Sequence, residues 1–176
     1  MKAVLVLFVA ILALTGGDAL AVPRPGTTAP PAGVQSLSGR VVRLDRLRGK
    51  PVLIVFESRE SKGRNTALKD RLARLVRGGR YRGRVHMLPV ASVENLDFFP
   101  ARGFVEDAIE SESARIGATI YCDWDGSFRR ALSLRPERSS VILISREGRV
   151  VFAFEGALDR RAQDRLIELL ARETAS

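Results

Sequence analysis

Apolar residues in this chain form two kinds of pattern, continuous runs and periodic stripes. The run Val52 to Phe56 is continuously apolar, which favours a central strand covered on both faces of a sheet. Leu68, Leu72 and Leu75 recur at helical spacing before Gly78-Gly79, so they predict one apolar helix face and a helix end. The chain therefore alternates predicted strands with predicted helices.

The same patterns give the complete order of elements. Strands are predicted at residues 38–44, 52–56, 85–90, 120–122, 141–144 and 150–154. Helices are predicted from near Ser61 to Val76, at residues 102–115 and 128–132, and after 159. Gly148 supplies the positive φ of a tight hairpin, and Asp159 is the expected N-cap of the last helix. A β-α-β half followed by a β-β-α half predicts an α/β domain with a central mixed sheet flanked by helices.

The first residues are typical of an exported protein. Lys2, an apolar stretch and Ala19-Leu20-Ala21 predict a signal peptide at residues 1–21, and the stretch is shorter than the ~20 residues of a membrane span. A Pro- and Gly-rich linker is expected at 22–34 and one domain at 35–176. We therefore expect a periplasmic or secreted protein with no membrane span after cleavage.

Charge and cysteine content narrow the function classes. The net charge is +9, but the arginines are dispersed along the chain and aromatic residues are few, so we expect no nucleic-acid partner. Cys122 is the single cysteine, which excludes an intramolecular disulfide, and its apolar surroundings predict a buried thiol.

The segment from Pro51 to Arg64 has the layout that houses a redox Cys-x-x-Cys, an apolar strand running into a helix start. Ser61 and Arg64 occupy the positions of the two thiols. A thiolate is the nucleophile of disulfide exchange, and neither a hydroxyl nor a guanidinium replaces it. The chain keeps the frame of a redox domain without its reactive groups.

With this order of elements, the chain resembles the thioredoxin-like superfamily over roughly Ser36 to Ala171. A narrower set of positions resembles the YtfJ family of periplasmic proteins: Lys62, Asn65, Ile109-Glu110-Ser111, Asp123, Gly126, Ser139-Ser140, Gly148-Arg149-Val150 and Gly156-Ala157-Leu158. The resemblance implies a thioredoxin-like fold and no settled activity. The chain lacks the cis-proline of thioredoxins, whose position corresponds to Ser139, and the proline and cysteine of the peroxiredoxin loop.

We interpret the protein as a binding or accessory module. The loop at 57–65, the predicted helix start near Ser61 and the segment 138–141 would form a groove for a peptide, or for a small anion held by free backbone N–H groups. The candidate ligand-binding residues are Glu57, Ser58, Arg59, Ser61, Lys62, Arg64, Asn65, Arg138, Ser139 and Ser140. The alternative is a thiol oxidoreductase or peroxiredoxin-like enzyme that uses Cys122.

No cofactor or metal site is predicted. His86 is expected to be a structural residue of a strand, because a catalytic triad or a zinc site needs further partners at suitable spacing. The carboxylate pairs Glu57 with Glu60 and Asp123 with Asp125 are interpreted as surface charges beside turns.

Overall fold

The computed structural model describes residues 22–175, so the predicted signal peptide lies outside the described residues. One mixed sheet has its strands in the order β2-β1-β5-β4-β3-β6-β7. The strands are β1 Gly33–Ser36, β2 Val41–Arg43, β3 Val52–Glu57, β4 His86–Ser92, β5 Tyr121–Asp123, β6 Ser140–Ile144 and β7 Val150–Glu155. The helices are α1 Thr66–Arg77, α2 Ala101–Ile116, α3 Ser127–Ala131 and α4 Arg160–Ala175.

Strand β3 lies inside the sheet, as its continuous apolar run predicts. It pairs in parallel with β4, where Val52 is opposite His86, and antiparallel with β6, where Phe56 is opposite Ser140. All residues from Val52 to Phe56 are buried. A strand with neighbours on both edges and helices over both faces has no solvent-facing side, so no polar alternation is required.

Two layers of helices cover the faces of the sheet. Ile54 and Phe56 pack with Phe128 of α3 in one buried cluster. Leu53 packs in another with Leu68 of α1 and Leu166 of α4, because successive residues of a strand point to opposite faces. A third, smaller cluster lies beneath α2. No helix within residues 22–175 is long and apolar enough to cross a membrane.

The predicted first strand, residues 38–44, is wrong in its bounds. The chain instead forms β1 and β2, which pair antiparallel around a turn at 37–40. Gly39 has φ +82° in that turn, a conformation that glycine adopts without steric cost. The other strands and the helices α2, α3 and α4 lie within one or two residues of their predicted bounds.

The segment 22–34 is packed against the sheet and does not form the free linker that its prolines and glycines suggested. Gly26 N donates to Val150 O at 2.7 Å, and Val150 N donates to Thr27 O at 2.9 Å. Ala32 is buried, and β1 begins at Gly33. The packed domain therefore begins before residue 35, because this segment satisfies backbone groups along β7.

Candidate functional site

The loop that follows β3 closes on itself through two serines. Ser58 N donates to Ser61 Oγ at 2.9 Å, and Ser61 N donates to Ser58 Oγ at 3.3 Å. Ser58 Oγ donates to Glu60 Oε2 at 2.8 Å, a bond that is the largest cause of the lowered pKa of Glu60. Ser61 is fully buried. These backbone donors are therefore used inside the loop.

The predicted helix start near Ser61 is wrong, since α1 begins at Thr66. Gly63 has φ +86°, which interrupts a helix, and Thr66 N donates to Gly63 O at 3.3 Å. Lys62 and Arg64 thus lie in a turn, and both are exposed. Because α1 begins at Thr66, no helix N-terminus lies at these residues to present backbone donors to an anion.

Asn65 joins this loop to the far side of the predicted groove. Its Nδ2 donates to Ser139 Oγ at 2.8 Å and to Gly156 O at 2.9 Å, and its Oδ1 accepts from Leu158 N at 2.9 Å. Asn65 and Ser139 are both buried. Their polar atoms hold three chain segments together, so these two predicted ligand-binding residues have a structural role.

The two remaining residues of the segment 138–141 differ in exposure. Arg138 is exposed, whereas Ser140 is completely buried. Within the described residues, Ser140 Oγ has no hydrogen-bond partner. Among the described residues, no hydrogen bond joins Arg138 to Ser58 or Ser61.

A cavity of about 440 Å³ lies between the sheet and α2, next to the loop that follows β3. Four predicted site residues line it: Glu57, Ser58, Arg59 and Lys62. Its walls are mainly apolar, with Val55 and Pro89 from the sheet and Val105 and Ile109 from α2. Phe104 also lines the cavity and is 71% exposed, which places it at the mouth. Both size and lining are typical of a small-ligand site.

The polar end of the cavity contains a partly buried ion pair. Lys69 Nζ lies 2.7 Å from Glu57 Oε2 and 3.8 Å from Glu112 Oε1. The side chains of Lys69 and Glu57 are each 14% exposed. Glu57 Oε1 is buried and accepts no hydrogen bond from residues 22–175. An unpaired buried acceptor costs free energy unless a donor reaches it.

Two residues of this site were missed from the sequence, Lys69 and Glu112. Glu112 is held by Arg115, whose hydrogen bond is the largest cause of its lowered pKa, with the charges of Lys69 and Lys62 acting in the same direction. The sequence signal was weak, because the predicted helix 102–115 has few apolar residues and its orientation on the sheet could not be read from them.

Cys122 lies in β5, away from the loop that replaces the redox motif. It is 2% exposed and packs with Val93, Ile109 and Ile120, as its apolar neighbours predicted. Burial is the main reason that its pKa rises to about 11. A buried neutral thiol is a poor nucleophile.

Asp123 is not the surface charge that we expected. It is buried, and its carboxylate accepts from Phe128 N at 3.1 Å and from Arg129 N at 2.9 Å. Its pKa is raised chiefly by burial, against the lowering effect of these two bonds. No group of three or more His, Cys, Asp and Glu among the described residues could hold a metal ion.

The family comparison gives a match to the second half of the chain. Residues 93–173 match the model of a family described as a bacterial protein of unknown function, YtfJ_HI0045. This part of the chain is similar to YtfJ proteins. The resemblance to YtfJ proteins is thus confirmed over a span that includes α2, β5, α3, β6, β7 and all but the last two residues of α4. No curated protein matches the chain.

Comparison with solved structures confirms the thioredoxin-like fold. The chain is similar to a protein described as a thiol:disulfide interchange protein, DsbE, from Chlorobium tepidum, with TM-score 0.61, 19% identity and 86% and 99% of the two chains covered. It is similar to the exposed lipoprotein thioredoxin Etrx1 of Streptococcus pneumoniae, with TM-score 0.58, 15% identity and 81% and 98% covered. Peroxiredoxin Q of Xanthomonas campestris gives TM-score 0.55, 19% identity and 81% and 92% covered.

Proposed function

We propose that this YtfJ-like protein is an exported, redox-inactive binding module whose ligand site is the cavity between the loop after β3 and α2. The observation that supports this site most strongly concerns Glu57. This residue lines the cavity, and one of its carboxylate oxygens is buried and has no donor among the described residues. A ligand that donates a hydrogen bond to this oxygen and places an apolar group among Val55, Val105 and Ile109 would satisfy both parts of the site.

A peptide segment is the ligand class that fits this description. Its backbone N–H supplies the donor for Glu57 Oε1, and a large apolar side chain fills the cavity. An anion fits less well, because the unpaired group at the polar end is itself a carboxylate oxygen. Lys69 already has Glu57 as its partner, and Glu112 has Arg115.

Redox inactivity is supported by the residues of the loop and by the position of the single sulfur. The loop has Ser61 and Arg64 at the positions of the two thiols of thioredoxin-like enzymes, and Cys122 is buried with its pKa raised to about 11. Export is supported by the sequence of residues 1–21 and by the similarity of the fold to a DsbE and an exposed lipoprotein thioredoxin. An intact mass that begins at Val22 in a periplasmic extract tests export directly.

Isothermal titration with short alanine peptides that carry one central Gly, Leu or Phe tests the cavity. We expect the affinity to rise from Gly to Leu to Phe and to fall when the central peptide nitrogen is methylated. The variant E57Q keeps the size of the side chain. Its amide oxygen must accept the hydrogen bond from Lys69, so its NH₂ group faces the ligand's N–H and cannot accept from it. We expect at least a tenfold loss, since one hydrogen bond to a charged group is worth ~1.5 to 3 kcal/mol.

Glu60 gives a matched control for this test. It lies in the same loop, its carboxylate accepts from Ser58, and it does not line the cavity. E60Q should bind the peptides as the wild type does. A108F, which adds a ring to the cavity wall, should abolish the preference for Phe. Equal behaviour of E57Q and E60Q, or affinity that does not depend on the apolar side chain, would contradict the proposal.

A further inference from the structure

A second feature lies in α1 and in the connection from α1 to β4, where five arginines fall within eleven residues, so the expectation of dispersed arginines is wrong for this stretch. They are Arg74, Arg77, Arg80, Arg82 and Arg84, here called the arginine surface. All five are exposed. Arg74 and Arg77 are three residues apart in the last turns of α1, so they lie on neighbouring parts of the same helix surface. The other three follow in the loop.

The loop that carries three of these arginines is held to the core. Tyr81 is 2% exposed and packs in the cluster that contains Leu72 and Leu143. Arg84 N donates to Tyr81 O at 3.0 Å, and the Arg80 guanidinium lies 5.6 Å from the centre of the Tyr81 ring. A buried anchor between Arg80 and Arg82 fixes the loop while leaving the guanidinium groups in solvent.

The positive charge of the arginine surface is not compensated. The sequence has no Asp or Glu between Asp70 and Glu94. None of these five guanidinium groups forms a salt bridge with any residue in 22–175, whereas Arg102, Arg115 and Arg129 each pair with a carboxylate. At the adjoining start of β4, the charges of Lys50 and Arg40 add to burial in lowering the pKa of His86.

We propose that the arginine surface binds the anionic headgroups of a phospholipid membrane. Guanidinium groups match phosphate oxygens in charge and in hydrogen-bond geometry, and each basic side chain near an anionic bilayer raises affinity several-fold. A single-stranded nucleic acid is a poorer fit, because Tyr81, the one ring in this stretch, is buried and offers no face for base stacking. This surface does not line the cavity, so the two proposals stand independently.

Cosedimentation of the purified chain with vesicles tests the proposal. Vesicles of phosphatidylglycerol with phosphatidylcholine are compared with vesicles of phosphatidylcholine alone. We expect binding to the first only, and its loss at about 0.5 M salt. The variant R80A/R82A/R84A should lose affinity on the order of 100-fold. All compared proteins begin at Val22, the mature N-terminus that the proposed export predicts, so the apolar residues 1–21 make no contribution to vesicle binding.

The matched control removes the same charge elsewhere. R64A/R138A/R161A replaces three exposed arginines that form no salt bridge within the described residues, and we expect less than a tenfold loss. R80K/R82K/R84K should retain most of the binding. R82E changes one exposed position and should weaken binding more than tenfold even if the triple alanine variant is unstable.

Three results would overturn the inference. Equal losses in the two alanine variants would mean that net charge alone drives adsorption. Unchanged binding by R82E and R80A/R82A/R84A would place the contact elsewhere. A nucleic-acid oligomer that binds through these arginines more tightly than the vesicles do would replace the membrane as the partner. Thermal unfolding of each variant shows that the compared proteins are folded.

Discussion

Asn65 Nδ2 donates a hydrogen bond to Ser139 Oγ at 2.8 Å across 74 residues of sequence, and both side chains are buried. The same amide contacts Gly156 O and Leu158 N, so one side chain connects the loop after β3, the start of β6 and the entrance to α4. In this chain the place of the redox motif is filled by a structural hydrogen-bond network.

We expect N65A to lower the free energy of unfolding by roughly 2 to 4 kcal/mol, because three hydrogen bonds are lost and buried partners are left unsatisfied. S139A removes one of these bonds and should cost about 1 kcal/mol. Urea denaturation measures both.

R64A is the control for Asn65, since Arg64 is the exposed neighbour in the same turn and should change stability by less than about 0.5 kcal/mol. An N65A protein as stable as R64A would mean that these bonds are replaced by water at no cost. With that result, Asn65 would again be a candidate ligand-binding residue.

The sequence was sufficient for the fold because each main element has its own local pattern. The run Val52 to Phe56 requires cover on both faces, and Leu68 and Leu72 mark the buried face of α1. The candidate site could be predicted only in part. Glu57 and Lys62 could be predicted because they lie at the end of β3 and in the loop after it. The cavity could not be predicted, because it depends on how far α2 lies from the sheet, and only Ile109 of α2 is buried.

The errors near the loop have one physical source. The apolar stripe of α1 predicts which face of the helix is buried but not where the helix begins. Gly63 has φ +86°, which a helix does not allow, and α1 therefore begins after it, at Thr66. Lys69 lies outside this stripe, so it would face solvent on an isolated helix. Its charge is instead covered because Glu57 at the end of β3 and Glu112 of α2 lie beside it, and no pattern within residues 66–77 reveals that contact.

Cys122 should be almost unreactive in the native protein. With its pKa raised to about 11, roughly one thiol in a thousand is ionised at pH 8, and the sulfur is buried. We expect an aromatic disulfide reagent to label native protein at least roughly 100-fold more slowly than protein unfolded in guanidinium. Insulin reduction and peroxide consumption should be absent, and C122S should match the wild type. Turnover that C122S abolishes would establish the enzyme alternative.

Asp123 should make stability fall as pH rises through the acid range. Burial raises the pKa of its carboxyl in the folded state above the unfolded value, so the folded protein favours the protonated form. The stability from this group is then present below the unfolded pKa and is lost as pH rises through the folded pKa. In D123N this titration is absent. The difference in unfolding free energy, wild type minus D123N, should decrease with rising pH; an increase would show that the bonds from Phe128 N and Arg129 N outweigh burial.

His86 is the single histidine of the chain, so its NMR titration is unambiguous. Its pKa is lowered first by burial and then by the charges of Lys50 and Arg40, so the folded state favours the neutral ring. For a base with a lowered folded pKa, stability is present above the unfolded value near 6.5 and is lost as pH falls toward the folded pKa. K50A removes one cause and should raise the pKa part of the way, with burial still holding it below 6.5. K62A is the control, because Lys62 is not among the groups that shift the pKa of His86, and it should leave the titration unchanged. A wild-type pKa above 6.5, or equal titrations in K50A and K62A, would contradict the positive potential at the start of β4.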